Sequence, residues 1–310
     1  MKKKIYMSLP INLFLFIILL SSCSGDDDGI SGTGFDISGG AEKGPFVKNS
    51  DVSIARLTSS GESAETLTTS TTIDDLGNFE IKNISTDGPV IITINGKYFN
   101  EISGQVSDNP LSLNAIYLIN SEQDQNAKVN ALTSVISTRI RKLMLEGSST
   151  STAIQQSQDE LTAALKTVLV EDDLPDFTAL SVYNIIKENE AGNAYLLAFS
   201  AIINQLATDT SAINGTSLED ELSQILTTLA NDIADNGLVD DTILLEDLKA
   251  ARNKLVPSEI EDNLKTYSFE KTGEELDVPT LAAVLVAITS ILLSEPDAKS
   301  EYIKYFDDSK

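Results

Sequence analysis

Two hydrophobic rhythms divide the chain. Between about residues 35 and 119, apolar and polar positions alternate in short runs broken by turn residues, the period-two pattern of strands with one buried face. The spacing predicts strands at 35–40, 52–57, 66–73, 78–84, 90–94 and 97–102, with a last apolar segment at 111–119 that either closes the β module or forms its seam with the next domain. Val52, Ile54 and Leu57 fall near one face, as do Phe79, Ile81 and Ile84. Asp74-Asp75-Leu76-Gly77-Asn78, where Gly77 supplies positive φ, and Asn95-Gly96 between Ile94 and Lys97 predict two hairpins.

After Gln123 the period lengthens. Val129, Leu132, Val135, Ile136, Ile140, Leu143 and Met144 follow helical spacing up to Gly147. A second helix is expected from Thr152, capped with Gln155, and a third around Leu197 to Leu206. Ser217 with Asp220 caps a fourth that ends at Gly237, Leu244 to Leu255 makes a fifth stopped by Pro257, and Ser258 with Glu261 opens a sixth. Pro279 leads into a seventh at Leu281 to Leu293, apolar nearly all round and read as a buried central helix. The fold class is therefore α+β and multidomain: a small antiparallel β-sandwich over 35–119, then an all-α acidic domain over 124–310.

Charge narrows the partners. Asp+Glu number 47 against 22 Lys+Arg, a net charge of -25, and the helical part carries most of the excess. Such a surface repels phosphate backbones, so no nucleic-acid partner is expected. Histidine is absent and Cys23 is the single cysteine, which removes Ser-His-Asp chemistry, disulfides, thiolate zinc sites and iron–sulfur clusters.

That one cysteine has a setting. Residues 1–22 open with Lys2, Lys3 and Lys4, continue through an apolar run from Ile11 to Leu20 too short to span a bilayer, and end in small residues, the layout of a secretory signal peptide. Leu20-Ser21-Ser22-Cys23 resembles the bacterial lipobox, where a peptidase cleaves before a cysteine bearing diacylglycerol. The resemblance implies a signal peptide over 1–22 recognised through Leu20, Ser21 and Ser22, and a diacylglycerol and N-acyl lipid on Cys23 that anchors the chain to the membrane. Residues 23–34 then form a Gly/Ser/Asp leash. Asp26, Asp27 and Asp28 resemble the acidic export tag of surface lipoproteins, or keep the leash soluble. The implied location is the bacterial envelope at the outer membrane, facing the periplasm or the cell surface.

A second resemblance lies further on. Gly39-Gly40-Ala41-Glu42-Lys43-Gly44-Pro45-Phe46, Ser50-Asp51-Val52-Ser53-Ile54, Thr71 to Phe79, and Tyr98-Phe99-Asn100-Glu101 look like the carboxypeptidase-regulatory-like, transthyretin-like (Ig-like) β-sandwich carried by bacterial lipoproteins. Such modules are mostly spacers or interaction domains. The resemblance implies a non-catalytic protein that binds an unidentified protein or glycan, with no cofactor beyond the lipid.

Two other chemistries stay open at this level. A glycosidase needs only two carboxylates, and Glu42, Asp74 and Asp75, or any of the helical carboxylates, supply candidates without selecting a pair. Asp232, Asp235, Asn236 and Asp240 around Gly237 are weak candidate ligands for a calcium-dependent adhesive module. Aligned as an EF-hand, however, Ala234 and Ile243 occupy positions that need oxygen ligands. Arg139, Arg141 and Lys142 form a basic cluster best explained by the end of a helix, where cations complement the dipole.

Overall fold

Alternation converts into strands along most of the first half of the chain. The computed structural model describes residues 34–120, 125–169, 174–185, 187–282 and 284–285. The leader, Cys23 with Leu20, Ser21 and Ser22, the aspartates Asp26, Asp27 and Asp28, the far end of the seventh expected helix, and the C-terminal residues lie outside the described residues.

The strands are β1 (Phe35–Glu42), β2 (Asp51–Leu57), β3 (Ser63–Thr71), β4 (Asn78–Ile84), β5 (Gly88–Gly96), β6 (Phe99–Asn100), β7 (Gln105–Val106), β8 (Leu111–Ile119) and β9 (Gln125–Asn130). They form a four-stranded antiparallel sheet in the order β3-β2-β5-β8, a three-stranded sheet β4-β1-β9, and a short β6-β7 ribbon. Among the described residues the one parallel pairing joins β1 to β9. Six helices come next among the described residues: α1 (Ala131–Leu145), α2 (Thr150–Ala164), α3 (Glu190–Asn214), α4 (Leu218–Asn236), α5 (Thr242–Arg252) and α6 (Pro257–Thr272). The fold is thus α+β, with a largely antiparallel β region ahead of a helical region.

Local irregularities explain how strictly alternating strands bury residues out of phase. Val52, Ile54 and Leu57 are all buried, although Leu57 breaks the alternation, because the register of β2 against β3 shifts between Ile54 and Leu57. Phe79, Ile81 and Ile84 do the same: Asn83 takes φ 60, the register against β1 slips between Ile37 and Phe35, and the Asp36 carboxylate accepts the Asn83 N–H at 3.1 Å.

The two expected hairpins fare differently. Gly77 has φ 79, and Asp74 Oδ1 accepts the N–H groups of Leu76 and Asn78 at 3.0 and 3.1 Å, so the turn forms as its residues dictate. Its arms then diverge, β3 into the larger sheet and β4 into the smaller. Asn95-Gly96 is not a turn. Both residues pair with β8 inside β5, opposite Ser112 and Leu111. Gly96 answers a different need: a Cβ there would lie 2.1 Å from Ser50 Oγ, so the chain needs glycine for close approach rather than for a positive φ. With no turn at 95–96 to start it, the strand expected at 97–102 shrinks to Phe99–Asn100.

The largest difference concerns Val129, read as the first residue of a helix. It lies in β9, paired with Ala41 of β1, and the helix starts at Ala131. Asn130 makes the switch. Its side chain accepts the Thr133 N–H at 3.0 Å while Thr133 Oγ1 accepts the Asn130 N–H at 2.9 Å, a closed capping box. The β sheet therefore extends beyond residue 124, and β9 and the helices contribute to one hydrophobic core with the strands before them.

The other helix ends shift by a turn or less. α2 is capped by Ser149, whose Oγ accepts the Thr152 N–H at 3.2 Å, in place of the expected Thr152 with Gln155. α6 begins at Pro257 with Val256 as N-cap, not at Ser258. α4 forms between Ser217 and Gly237 as its caps require. α3 reaches well beyond the expected Leu197 to Leu206 and is buried along most of its first half. Of the expected seventh helix, Leu281 and Val284 are buried, and no helix among the described residues is long and apolar enough to cross a membrane.

Candidate functional site

The residues that carry the β-sandwich resemblance converge on a buried ionic seam. Glu42, at the end of β1, accepts from Lys128 of β9 at 3.2 Å, from Ser181 Oγ at 2.9 Å and from the Val182 N–H at 2.6 Å. Lys43, the next residue, donates to Glu101 at 2.8 Å, with both side chains closed to solvent. Burial pushes the Lys43 ammonium below its usual value, while Glu101 pulls in the opposite direction. Ser200 of α3 donates to the Lys43 carbonyl, and Asn204 of α3 donates to Asn100 at 2.6 Å. Asn263 of α6 reaches the carbonyls of Glu101 and Ile102 at 3.0 and 3.1 Å. The motif residues thus tie the first strands to three parts of the helical region. Each charge is matched by another, which is the pattern of a structural seam, although Glu101 Oε2 is buried without a hydrogen-bond partner.

The remaining singled-out carboxylates are also engaged by their own surroundings. Asp74 shapes its turn and accepts Asn78 Nδ2 at 2.8 Å. Asp75 accepts the Lys48 N–H at 3.0 Å and lies 3.3 Å from Lys271 Nζ. Around Gly237, Asp232 accepts the Asp241 N–H at 3.0 Å, Asn236 donates to Asp240 at 2.7 Å and accepts the Leu238 N–H at 2.9 Å, and Asp235 takes Lys142. These four calcium candidates organise the link between α4 and α5, and among the described residues no three His, Cys, Asp or Glu side chains gather as a metal group.

The basic cluster resolves in the same way. Arg139 makes a bidentate pair with Glu160 at 2.7 and 2.9 Å, Arg141 donates to the Gly61 carbonyl at 2.7 Å, and Lys142 to that of Asp235 at 2.6 Å. The Glu160 hydrogen bonds hold the Arg139 guanidinium above its usual value.

A concavity that the sequence did not announce lies where α1 and α4 meet the outer strand β8. It has a volume of about 290 Å³. Ser112 and Asn114 line it from β8, Ser134, Ser137 and Thr138 from α1, and Ser223, Thr227 and Asn231 from α4. Leu226 and Ala230 give it a small apolar wall. No charged or aromatic side chain belongs to the lining. Helical geometry explains the grouping: on α4, Ser223, Thr227 and Asn231 recur every four residues and share a face beside the buried stripe of Leu222, Leu229 and Ile233. The signal was present as a neutral stripe in an otherwise acidic helix, but serine and threonine on an exposed face look like ordinary solvated surface.

Several of these groups lack partners among the described residues. Asn114 Oδ1 is buried and accepts no hydrogen bond. The backbone of Asn114 is satisfied: its N–H donates to Ser134 Oγ at 3.3 Å, and its carbonyl accepts from Thr133 Oγ1 at 3.1 Å. Helix α1 therefore closes this point of the strand edge, and the amide oxygen is shut away from solvent.

A second, more open hollow of about 710 Å³ lies at the other end of α1, between Pro89, Leu118, Met144 and the Ser148–Ser151 stretch. Ser149 there is occupied in capping α2. Comparison with known proteins returns no match among family models, curated proteins or solved structures.

Proposed function

We propose that this chain is a non-catalytic lipoprotein of the bacterial envelope, anchored in the outer membrane through acyl chains on Cys23, whose β region and helices bind a protein or glycan partner. The observation that carries the reading is the coincidence, in residues 1–23, of a basic start, a short apolar run, small residues and the only cysteine. Each acyl methylene buried in the bilayer contributes about 0.8 kcal/mol, so two or three chains hold the protein for its working life.

The disposition of charge supports binding over catalysis. Glu42, Asp74 and Asp75 are each held by backbone or lysine partners within the fold, whereas a carboxylate pair for glycoside hydrolysis must face a common substrate bond. The concavity instead offers hydroxyls and amides, which grip without activating.

The deciding experiment is Cys23→Ser with labelled palmitate. The variant accumulates as an unlabelled, uncleaved precursor while the parent chain is shortened and labelled. Equal processing and equal membrane retention of the two chains would refute the anchor.

A further inference from the structure

We infer that the cleft between β8, α1 and α4 is a binding site for a neutral saccharide of one or two rings, an inference that rests on the binding reading above and names its ligand class. The argument starts from what the cleft lacks. An anion needs a cation or a converging set of backbone N–H groups, and the lining has no Lys or Arg. A metal ion needs carboxylates, and there are none in the lining. A flat apolar cofactor needs apolar or aromatic walls, and Leu226 and Ala230 supply only a patch.

What the cleft offers is hydrogen bonding of both senses. Among the described residues the side chains of Ser112, Thr138, Ser223 and Asn231 have no hydrogen-bond partner, and all four are exposed. Sugar hydroxyls both donate and accept, as serine, threonine and asparagine do. The Leu226 and Ala230 patch meets the C–H face of a ring. A volume of about 290 Å³ lies at the small end of ligand sites, the size class of a short saccharide.

The outer strand beside the cleft would otherwise invite an extended peptide by strand addition. Here that mode is blocked: the N–H and carbonyl of Asn114 are already taken by Ser134 and Thr133 of α1. The side-chain groups remain for a ligand and the backbone groups do not, and that division favours a sugar over a peptide.

The test is retention of the full chain, purified in detergent, on an array of neutral one- to four-ring glucose, galactose, mannose and N-acetylglucosamine oligosaccharides, with an array of uncharged peptides beside it. Thr138 and Ser223 are exposed, so Thr138→Trp and Ser223→Trp fill the mouth of the cleft without entering the core. Two variants are used so that one misfolding, read from its melting temperature, leaves the other. The expected result is retention on at least one saccharide and a loss of affinity of tenfold or more in a folded variant. No saccharide retained, or retention unchanged in a folded variant, overturns the inference, as does retention on peptides alone that the same substitutions abolish. Hydrolysis of a retained saccharide would overturn the non-catalytic reading and leave the cleft assignment standing, and the Cys23→Ser result bears on the anchor alone.

Discussion

Lys43 Nζ lies 2.8 Å from Glu101 Oε1, and neither side chain is exposed to water. The two residues sit 58 positions apart, one just past the end of β1 and the other just past β6. The ring of Tyr98 lies under the ammonium, 5.1 Å from its centre. Gly44 permits the approach, because a Cβ there would fall 2.1 Å from the Phe99 carbonyl oxygen and 3.2 Å from Glu101 Oε2. The pair thereby fixes the loop after β6 against the end of β1, where Ser200, Asn204 and Asn263 bring α3 and α6 to the same place.

Removing one partner of this pair leaves the other charge buried and uncompensated. Glu101→Gln and Lys43→Met are each expected to lower unfolding stability by about 3–5 kcal/mol. The double change Lys43→Met with Glu101→Leu withdraws both charges and is expected to cost less than either single change, since desolvating an ion pair offsets most of its attraction. Urea denaturation of the three variants decides it; a double variant as unstable as the sum of the singles would mean that the two charges are not coupled, and the expectation fails.

Gly96 yields a prediction that separates two readings of one dipeptide. In a two-residue hairpin Asn95-Gly96 would need a left-handed backbone; inside β5 the glycine serves only to let Ser50 close over it. Gly96→Ala is therefore expected to destabilise by about 1–3 kcal/mol through overpacking, and Gly96→Ala with Ser50→Gly to recover much of the loss. Thermal melts of both variants test this. A turn glycine would give no such rescue.

Much of the fold was legible because burial obeys local periods. β4 and α4 followed from alternation and from the Ser217 and Gly237 signals. What was not legible depends on partners remote in sequence. Val129 has the spacing of a helical residue, yet the parallel edge of β1 claims it for a strand. Asn95-Gly96 has the composition of a turn, yet β2 and β8 lie on either side of it. The cleft is hidden for a similar reason: Asn114, Thr138 and Ser223 are unremarkable until three elements place them around one hollow. Glu42, Lys43, Tyr98 and Glu101 stood out as motif residues, but only the tertiary structure shows that they form a seam.

The Arg139–Glu160 pair gives the pH dependence a sign. Burial works against the Glu160 carboxylate, but hydrogen bonds from Arg139 and Gln156 outweigh it and hold the carboxyl below its usual range. The folded state therefore releases this proton more readily than the unfolded state. Its contribution is present above the ordinary carboxylate value near 4 and is lost as pH falls through the lower folded value. Glu160→Gln is expected to lower the melting temperature at pH 7, with the gap to the parent narrowing below pH 4 or so. A gap constant from pH 7 to pH 3 would show that the pair is not the source.

Asn130 carries two obligations at once. Its Oδ1 caps α1 through the Thr133 N–H, while its Nδ2 donates to the Phe177 carbonyl at 2.7 Å, and the residue is fully buried. Asn130→Ala loses both and leaves the Phe177 carbonyl with only the long 3.4 Å bond from the Leu180 N–H, so the cost is expected to exceed the typical cap value of about 1 kcal/mol and reach about 2–4 kcal/mol. Asn130→Asp separates the two roles. It keeps the capping oxygen and gains charge at a helix N-terminus, which alone would stabilise. It also sets a second acceptor against the Phe177 carbonyl, and in a buried site that repulsion outweighs the gain. Asn130→Asp is accordingly expected to be no more stable than Asn130→Ala at pH 7 and to recover as pH falls and the new carboxyl gains a proton to donate. Chemical denaturation of both variants at pH 7 and pH 4 reads the two roles apart, and an aspartate variant as stable as the parent at pH 7 would reduce Asn130 to a helix cap.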